Sequence, residues 1–229
     1  QWKDTTTFVP YLTFIYTSKM RYPILTILLA CAYFSNAQHA DKVSYQKEIS
    51  AFRQHYKNEF VSEPHSPITA ADTAFLDFYP PDPAWRIAAK VSLTPDSPVF
   101  DMMTYSGVTR KYRQYATVQF SIGAQALQLS LYQNLTLMEK DTTYRDYLFL
   151  PFKDGTNGEE TYGGGRYLDF RKKDISGGVL MLDFNKNYNP YCAFSDGYSC
   201  PIPPKENHLA IEVHAGEKNF KKEKLHGKH

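Results

Sequence analysis

Residues that announce chemistry are scarce in this sequence. It has only three cysteines and two tryptophans among 229 residues. G-x-S-x-G is absent, so no serine sits on a nucleophile elbow. H-E-x-x-H is absent, which removes the helical zinc-protease pattern. His39, His55, His65, His208 and His214 are scattered rather than spaced as ligands. Charge of one sign is missing as well. Lys and Arg number 26 against 24 Asp and Glu, so there is no basic field to draw nucleic acid. No apolar run reaches the roughly 20 residues that span a bilayer. Low-complexity tracts and repeats at solenoid periods are also lacking.

The first methionine is Met20. From there Arg21, an apolar run from Pro23 to Phe34, and the small residues Ser35-Asn36-Ala37 read as a secretory signal peptide over residues 20–37. On this reading residues 1–19 lie upstream of the translation start, and the mature chain begins at Gln38. Leu28-Leu29-Ala30-Cys31 offers a competing lipobox, with an anchor at Cys31. The apolar Ala32-Tyr33-Phe34 argues against it, because a lipidated cysteine usually opens a polar tether. The expected location is periplasmic or secreted, with no transmembrane segment in the mature chain. Residues 38–229 carry 23 basic and 23 acidic side chains. Residues 38–217 are expected to form one β domain, and 218–229 a basic, solvated tail.

What is abundant is aromatic. Eighteen Tyr and 15 Phe favour strands. Tyr45, Ile49, Phe52, Tyr56 and Phe60 recur at helical spacing and predict a helix over Asp41–Phe60, packed on its own domain. A Pro- and Asp-rich connection follows, with an aromatic knot at Phe75, Leu76, Phe78 and Tyr79 that must be buried. Period-2 patterns then predict strands over 85–93, 99–105, 112–122 and 125–132, an apolar run predicts one over 147–152, and 166–170, 178–184 and 209–214 complete the set. Short connections imply antiparallel pairing. The expected fold is mainly β: an antiparallel β-sandwich or partly open β-barrel, with an N-terminal helix packed on it.

Special residues concentrate between Gly158 and Asn207. Gly163-Gly164-Gly165 precedes Arg166, but no Lys-Ser/Thr follows, so a close backbone approach is expected rather than a phosphate loop. The polar candidates are Glu160, Tyr162, Arg166, Asp169, Asp183, Asn185, Asn189 and Asn207. All except Asp169 form the expected ligand-binding set. Arg166 can fork onto a carboxylate or phosphate ligand, or pair with Asp183 as a buried brace. Asp183 and Asn185 flank Phe184 in an alternating run and are expected to share one strand face. Cys192 and Cys200 read first as a disulfide, then as free thiols, and last as metal ligands, since C-x7-C is a poor zinc spacing. No cofactor and no metal set is expected.

The run P-F-K-D-G-T-N-G-E-E-T-Y-G-G-G-R-Y-L-D, then L-D-F-N-x-x-Y-N-P-x-C and C-P-x-P-P-x-E-N, resembles the DUF1684 family of bacterial and archaeal proteins. The resemblance runs from about Tyr45 to Glu217 and implies no chemistry, because that family's function is not established. Where the family often has Arg after the motif asparagine, this chain has His208, which weakens any role of His208 as ligand or base. Two functions are expected to compete. One is a non-catalytic, envelope-associated domain binding a small molecule or glycan around Gly163–Arg166 and Asp183–Asn185. The other is a hydrolase of a glycan or ester using Glu160 and Asp183. A third possibility gives the motifs no task beyond closing the fold.

Overall fold

The computed structural model describes the backbone of residues 22–224 and the side chains of residues 41–224. The proposed start at Met20, the chemistry of the signal segment, Cys31 and the end of the tail lie outside the described residues. The chain divides into two compact units, Gln1–Val43 and Ser44–His229. All contacts below belong to the second. Among the described residues, no helix is long and apolar enough to cross a membrane.

Helix α1 runs Tyr22–Ser62. From Ser44 onward it lays the predicted stripe against the sheet: Tyr45, Ile49, Tyr56 and Phe60 are buried, and Phe52 is half-buried. The 3.6-residue period accounts for this face. The aromatic knot is only partly covered. Leu76 and Tyr79 are buried, but Phe75 stays exposed at 41%.

Among the described residues eight strands follow: β1 Arg86–Leu93, β2 Val99–Met103, β3 Thr109–Ile122, β4 Gln125–Asn134, β5 Tyr147–Phe152, β6 Arg166–Arg171, β7 Ile175–Ser176 and β8 Val179–Asp183. A short helix, α2 Leu135–Lys140, joins β4 to β5, with Asn134 as its N-cap. All ladders are antiparallel, in the order β6-β5-β4-β3-β1-β8-β7, with β2 also paired to β3. Among the described residues no ladder joins β6 to β7, so the sheet is not closed.

The alternation in β4, β5 and β6 sorts side chains onto two faces. Leu129, Leu131, Leu148, Leu150, Phe152 and Leu168 enter the main core with Val118, Phe120, Leu180, Leu182 and Phe184. Tyr132, Phe149 and Tyr167 point the other way and join Met102 and Tyr112 in a second, aromatic cluster.

One expected strand is absent. Leu209–His214 has no ladder; it meets the chain just after β5 through a bridge between Lys153 and His208 and through Gly155 N, which donates to the Ile211 carbonyl. From Val213 on, a side chain takes the place of a neighbouring strand. The carbonyls of Val213, Ala215 and Glu217 all accept from Arg166. The segment is therefore irregular although its sequence alternates.

Candidate functional site

Arg166 opens β6 and is fully buried. Its Nη2 donates to Asp154 Oδ2 at 2.8 Å and to the Val213 carbonyl at 2.9 Å. Its Nη1 donates to the Ala215 carbonyl at 2.6 Å. The ion-pair partner is thus Asp154 and not Asp183. Asp154 Oδ1 accepts in turn from the backbone and hydroxyl of Thr156 and from Val213 N. Charge is matched, as burial of an ion pair requires, while Arg166 Nε is buried without a hydrogen-bond partner. The preceding glycines allow the approach. A Cβ on Gly165, whose φ is +93°, would stand 2.6 Å from the Phe152 carbonyl. At Gly164 a Cβ would meet the Tyr162 ring and come within 2.8 Å of the Tyr105 hydroxyl.

Asp183 ends β8 and caps a 3-10 turn over Phe184–Lys186. The strand stops there, so Asp183 and Asn185 do not continue one alternating face. They meet by a tighter route. Asp183 Oδ1 accepts from Asn185 N at 3.1 Å and from the Tyr45 hydroxyl at 2.8 Å. Asn185 Nδ2 reaches the Tyr45 oxygen and the Asp82 carbonyl, each at 2.8 Å. Asp183 Oδ2 is buried without a hydrogen bond, 3.9 Å from Arg86 Nε.

Asn189 and Asn207 are also buried brackets. Asn189 N donates to Glu217 Oε2 at 2.7 Å, and its side chain donates to the Lys218 carbonyl. Glu217, missed by sequence reasoning, is fully buried, and burial pushes its carboxyl up to about 8. Asn207 solves a problem set by Pro151. The pairing of Tyr132 with Phe149 puts Ser130 opposite Pro151, which has no N–H. Asn207 Oδ1 accepts from Ser130 N at 2.7 Å, and its Nδ2 donates to the carbonyls of Ser130 and Pro151. Its amide completes the β4–β5 seam.

Glu160 lies at the surface beside the Tyr79 hydroxyl at 3.2 Å, Lys218 at 3.4 Å and His214 at 3.6 Å. Tyr162 is half-buried against the glycines. Glu160 and Asp183 share no partner, so the fold does not assemble them as a carboxylate pair.

The open space is elsewhere. A cavity of about 940 Å³ lies between α1 and the outer face of the sheet, in the range that encloses a small ligand. Tyr112, Tyr147, Phe149, Tyr167 and Tyr188 line it together with Asp169. β5 and β6 put Phe149 opposite Asp169 and Tyr147 opposite Arg171, so these side chains share one face. Tyr188 is brought alongside by a bridge to Tyr167.

Asp169 accepts from the Tyr147 hydroxyl through Oδ1 and from the Tyr188 hydroxyl through Oδ2, each at 2.7 Å. Asp169 is exposed by surface area, yet neighbouring protein partly desolvates its carboxylate. That desolvation raises its pKa, opposed by the two hydroxyl bonds. The Tyr147 and Tyr188 hydroxyls are pushed well above their ordinary range, first by burial and then by the Asp169 charge.

A disulfide joins Cys192 to Cys200, with Cα atoms 6.2 Å apart. Cys200 and Pro201 form part of the cavity wall, and the Tyr167 hydroxyl donates to the Pro201 carbonyl. Of the expected ligand set, only Asp183 lines the cavity. Asp169 was among the polar candidates but outside that set. The spacings Tyr147-x-Phe149 and Tyr167-x-Asp169 were the available signal, since each puts two side chains on one face.

A solution NMR structure of an uncharacterized protein from Haloarcula marismortui is similar to the chain, with 31% identity and a TM-score of 0.59. The match covers 78% of this chain and 96% of that one. No curated protein matches the chain. The model of the family described as protein of unknown function (DUF1684) matches residues 73–218, a span that starts after α1 and holds every strand. On that match the chain belongs to the DUF1684 family.

Proposed function

We propose that this chain is an exported, ligand-binding β-domain whose ligand sits in the cavity between α1 and the tyrosine-bearing face of the sheet. The observation that carries this reading is the cavity itself, about 940 Å³ with an exposed carboxylate, Asp169, held by two tyrosine hydroxyls on its wall. Clefts of that size with a few placed polar groups are the usual seats of small ligands. A small molecule or a short glycan fits the aromatic lining. Arg166, Asn185, Asn189 and Asn207 serve this site indirectly, by fixing the loops and strands around it. Export is supported by the signal-like segment after Met20 and by the disulfide, because disulfides persist in oxidising compartments. Within the fold class, a partly open barrel is favoured over a sandwich, since Leu168 of β6 and Leu180 of β8, near opposite ends of the strand path, share one core.

Native mass spectrometry of protein purified after export tests the reading, with a thermal-shift screen of metabolites and oligosaccharides beside it. Mass released on denaturation, or a stabilising compound, is expected for the wild type. Either signal should vanish in His55→Trp, which fills the cavity from an exposed position on α1. Absence of both signals in the wild type would sink the proposal.

A further inference from the structure

We infer that the cavity selects an organic ammonium cation, of the trimethylammonium type, against the Tyr147, Tyr188 and Asp169 wall. The inference rests on the cavity being the binding place and adds the class of ligand. Aromatic faces attract cations through the ring quadrupole, and quaternary ammonium groups are the ligands that aromatic walls recognise best. Here the rings are fixed in place. Asp169 holds the hydroxyls of Tyr147 and Tyr188, and the Tyr188 ring stands at 89° to that of Tyr167, 5.9 Å away.

The charge on the wall has the matching sign. The lining includes five carboxylates, Glu59, Glu63, Asp169, Asp174 and Asp183, against Arg86, Arg110 and Lys186. Two of those three cations are already engaged, since Arg86 and Lys186 both bind Glu48. Asp169, by contrast, is satisfied by two neutral hydroxyls. Arg171, its neighbour two residues along the strand, is spent on the Thr143 carbonyl and Asp146. The Arg171 guanidinium also lies over the Tyr147 ring at 5.7 Å, so this wall already holds one organic cation of the chain's own. A ligand cation beside Asp169 would gain a carboxylate bonded by neutral hydroxyls rather than an ion pair, and aromatic faces together. A quaternary head needs no hydrogen-bond acceptors, which suits a carboxylate whose oxygens are already occupied. An anionic ligand would meet repulsion from the same wall.

Isothermal titration with choline, its neutral isostere 3,3-dimethylbutan-1-ol and the anion benzoate separates the possibilities. Choline should bind at least about tenfold more tightly than the isostere, the scale of a desolvated cation–π contact. Asp169→Asn and Tyr188→Leu should each weaken choline by about tenfold or more. Glu59→Gln, on the exposed side of α1, gives a smaller loss and serves if the first two variants fail to fold. Equal binding of choline and the isostere, or preference for benzoate, overturns the cation and leaves the cavity reading standing. Retained ligand mass with no response to choline does the same. No retained mass and no binding of any of the three removes both. Pelleting with phosphatidylcholine but not phosphatidylglycerol vesicles would identify the cation as a lipid headgroup, whereas binding of free choline alone would identify a soluble molecule. Either result upholds the inference.

Discussion

At the residue scale, the buried charges of this domain fall into two kinds. Arg166 is matched by Asp154 and three carbonyls, and its loss strands a carboxylate in the core. Arg166→Ala should therefore cost about 3–5 kcal/mol, read as a lower denaturant midpoint. Glu217 is the other kind, a carboxyl that folding forces toward neutrality. Its folded pKa, about 8, lies above the unfolded value of 4.5. The folded state binds this proton more tightly, so the stability it contributes is full below the unfolded value and is lost as pH rises toward 8. Glu217→Gln should flatten that fall, and urea titrations of both proteins at pH 5 and pH 8 would show it. An identical slope in the two proteins would mean that Glu217 is ionised throughout. Little of this was legible beforehand. Arg166 and Asp183 were both visible as special, but the pairing with Asp154 depends on how the chain folds back after Phe152. Glu217 closes the expected domain just before a Lys-rich stretch, no period marks it, and only the packed fold shows it to be buried.

Elements were far more legible than contacts. The α1 stripe and seven of the eight described strands were legible, most from their pattern of apolar residues and β5 from a continuous apolar run that is buried on both faces. Leu209–His214 failed because alternation reports burial and not ladder bonding, and a guanidinium satisfied the carbonyls just beyond it. β7 was missed because two residues carry no period. The cavity was invisible for a related reason. It belongs to the space between α1 and the sheet, and no single element encodes it. The predicted stripe nevertheless makes a testable statement about its roof. Ile49 is fully buried on α1. Ile49→Ala should cost about 2–5 kcal/mol by transfer and cavity terms. If α1 roofs the cavity, the same variant should weaken ligand-induced thermal shifts while far-UV circular dichroism retains the strand signal. A loss of stability under about 0.5 kcal/mol, the size typical of surface changes, would show that α1 is loosely seated.

At the scale of the whole molecule, the sheet stays open and the loop over 190–204 closes one side of the cavity. That loop is anchored by Phe194, which is fully buried beside Phe60 and Phe220. It is held by the Cys192–Cys200 bond, by a bridge between Thr104 and Pro201, and by the Tyr167 hydroxyl on the Pro201 carbonyl. The second and third contacts both act on the residue next to Cys200, so the disulfide carries their effect back to Cys192. Closing a loop this short stabilises by about 2–3 kcal/mol on chain-entropy grounds. Cys192→Ser with Cys200→Ser should lower the melting temperature accordingly and open Ala193–Ser199 to proteolysis ahead of the rest of the domain. The core strands are braced independently, by Asn207 across β4 and β5 and by Arg166 at the end of β6, so the reduced molecule should stay folded. Limited proteolysis with and without reductant, read by mass spectrometry, distinguishes the outcomes. A cut confined to residues 193–199 places the disulfide as a staple on the cavity wall. Global digestion would make it a condition of folding, and no change would show that the Phe194 anchor and the bridge at Pro201 suffice.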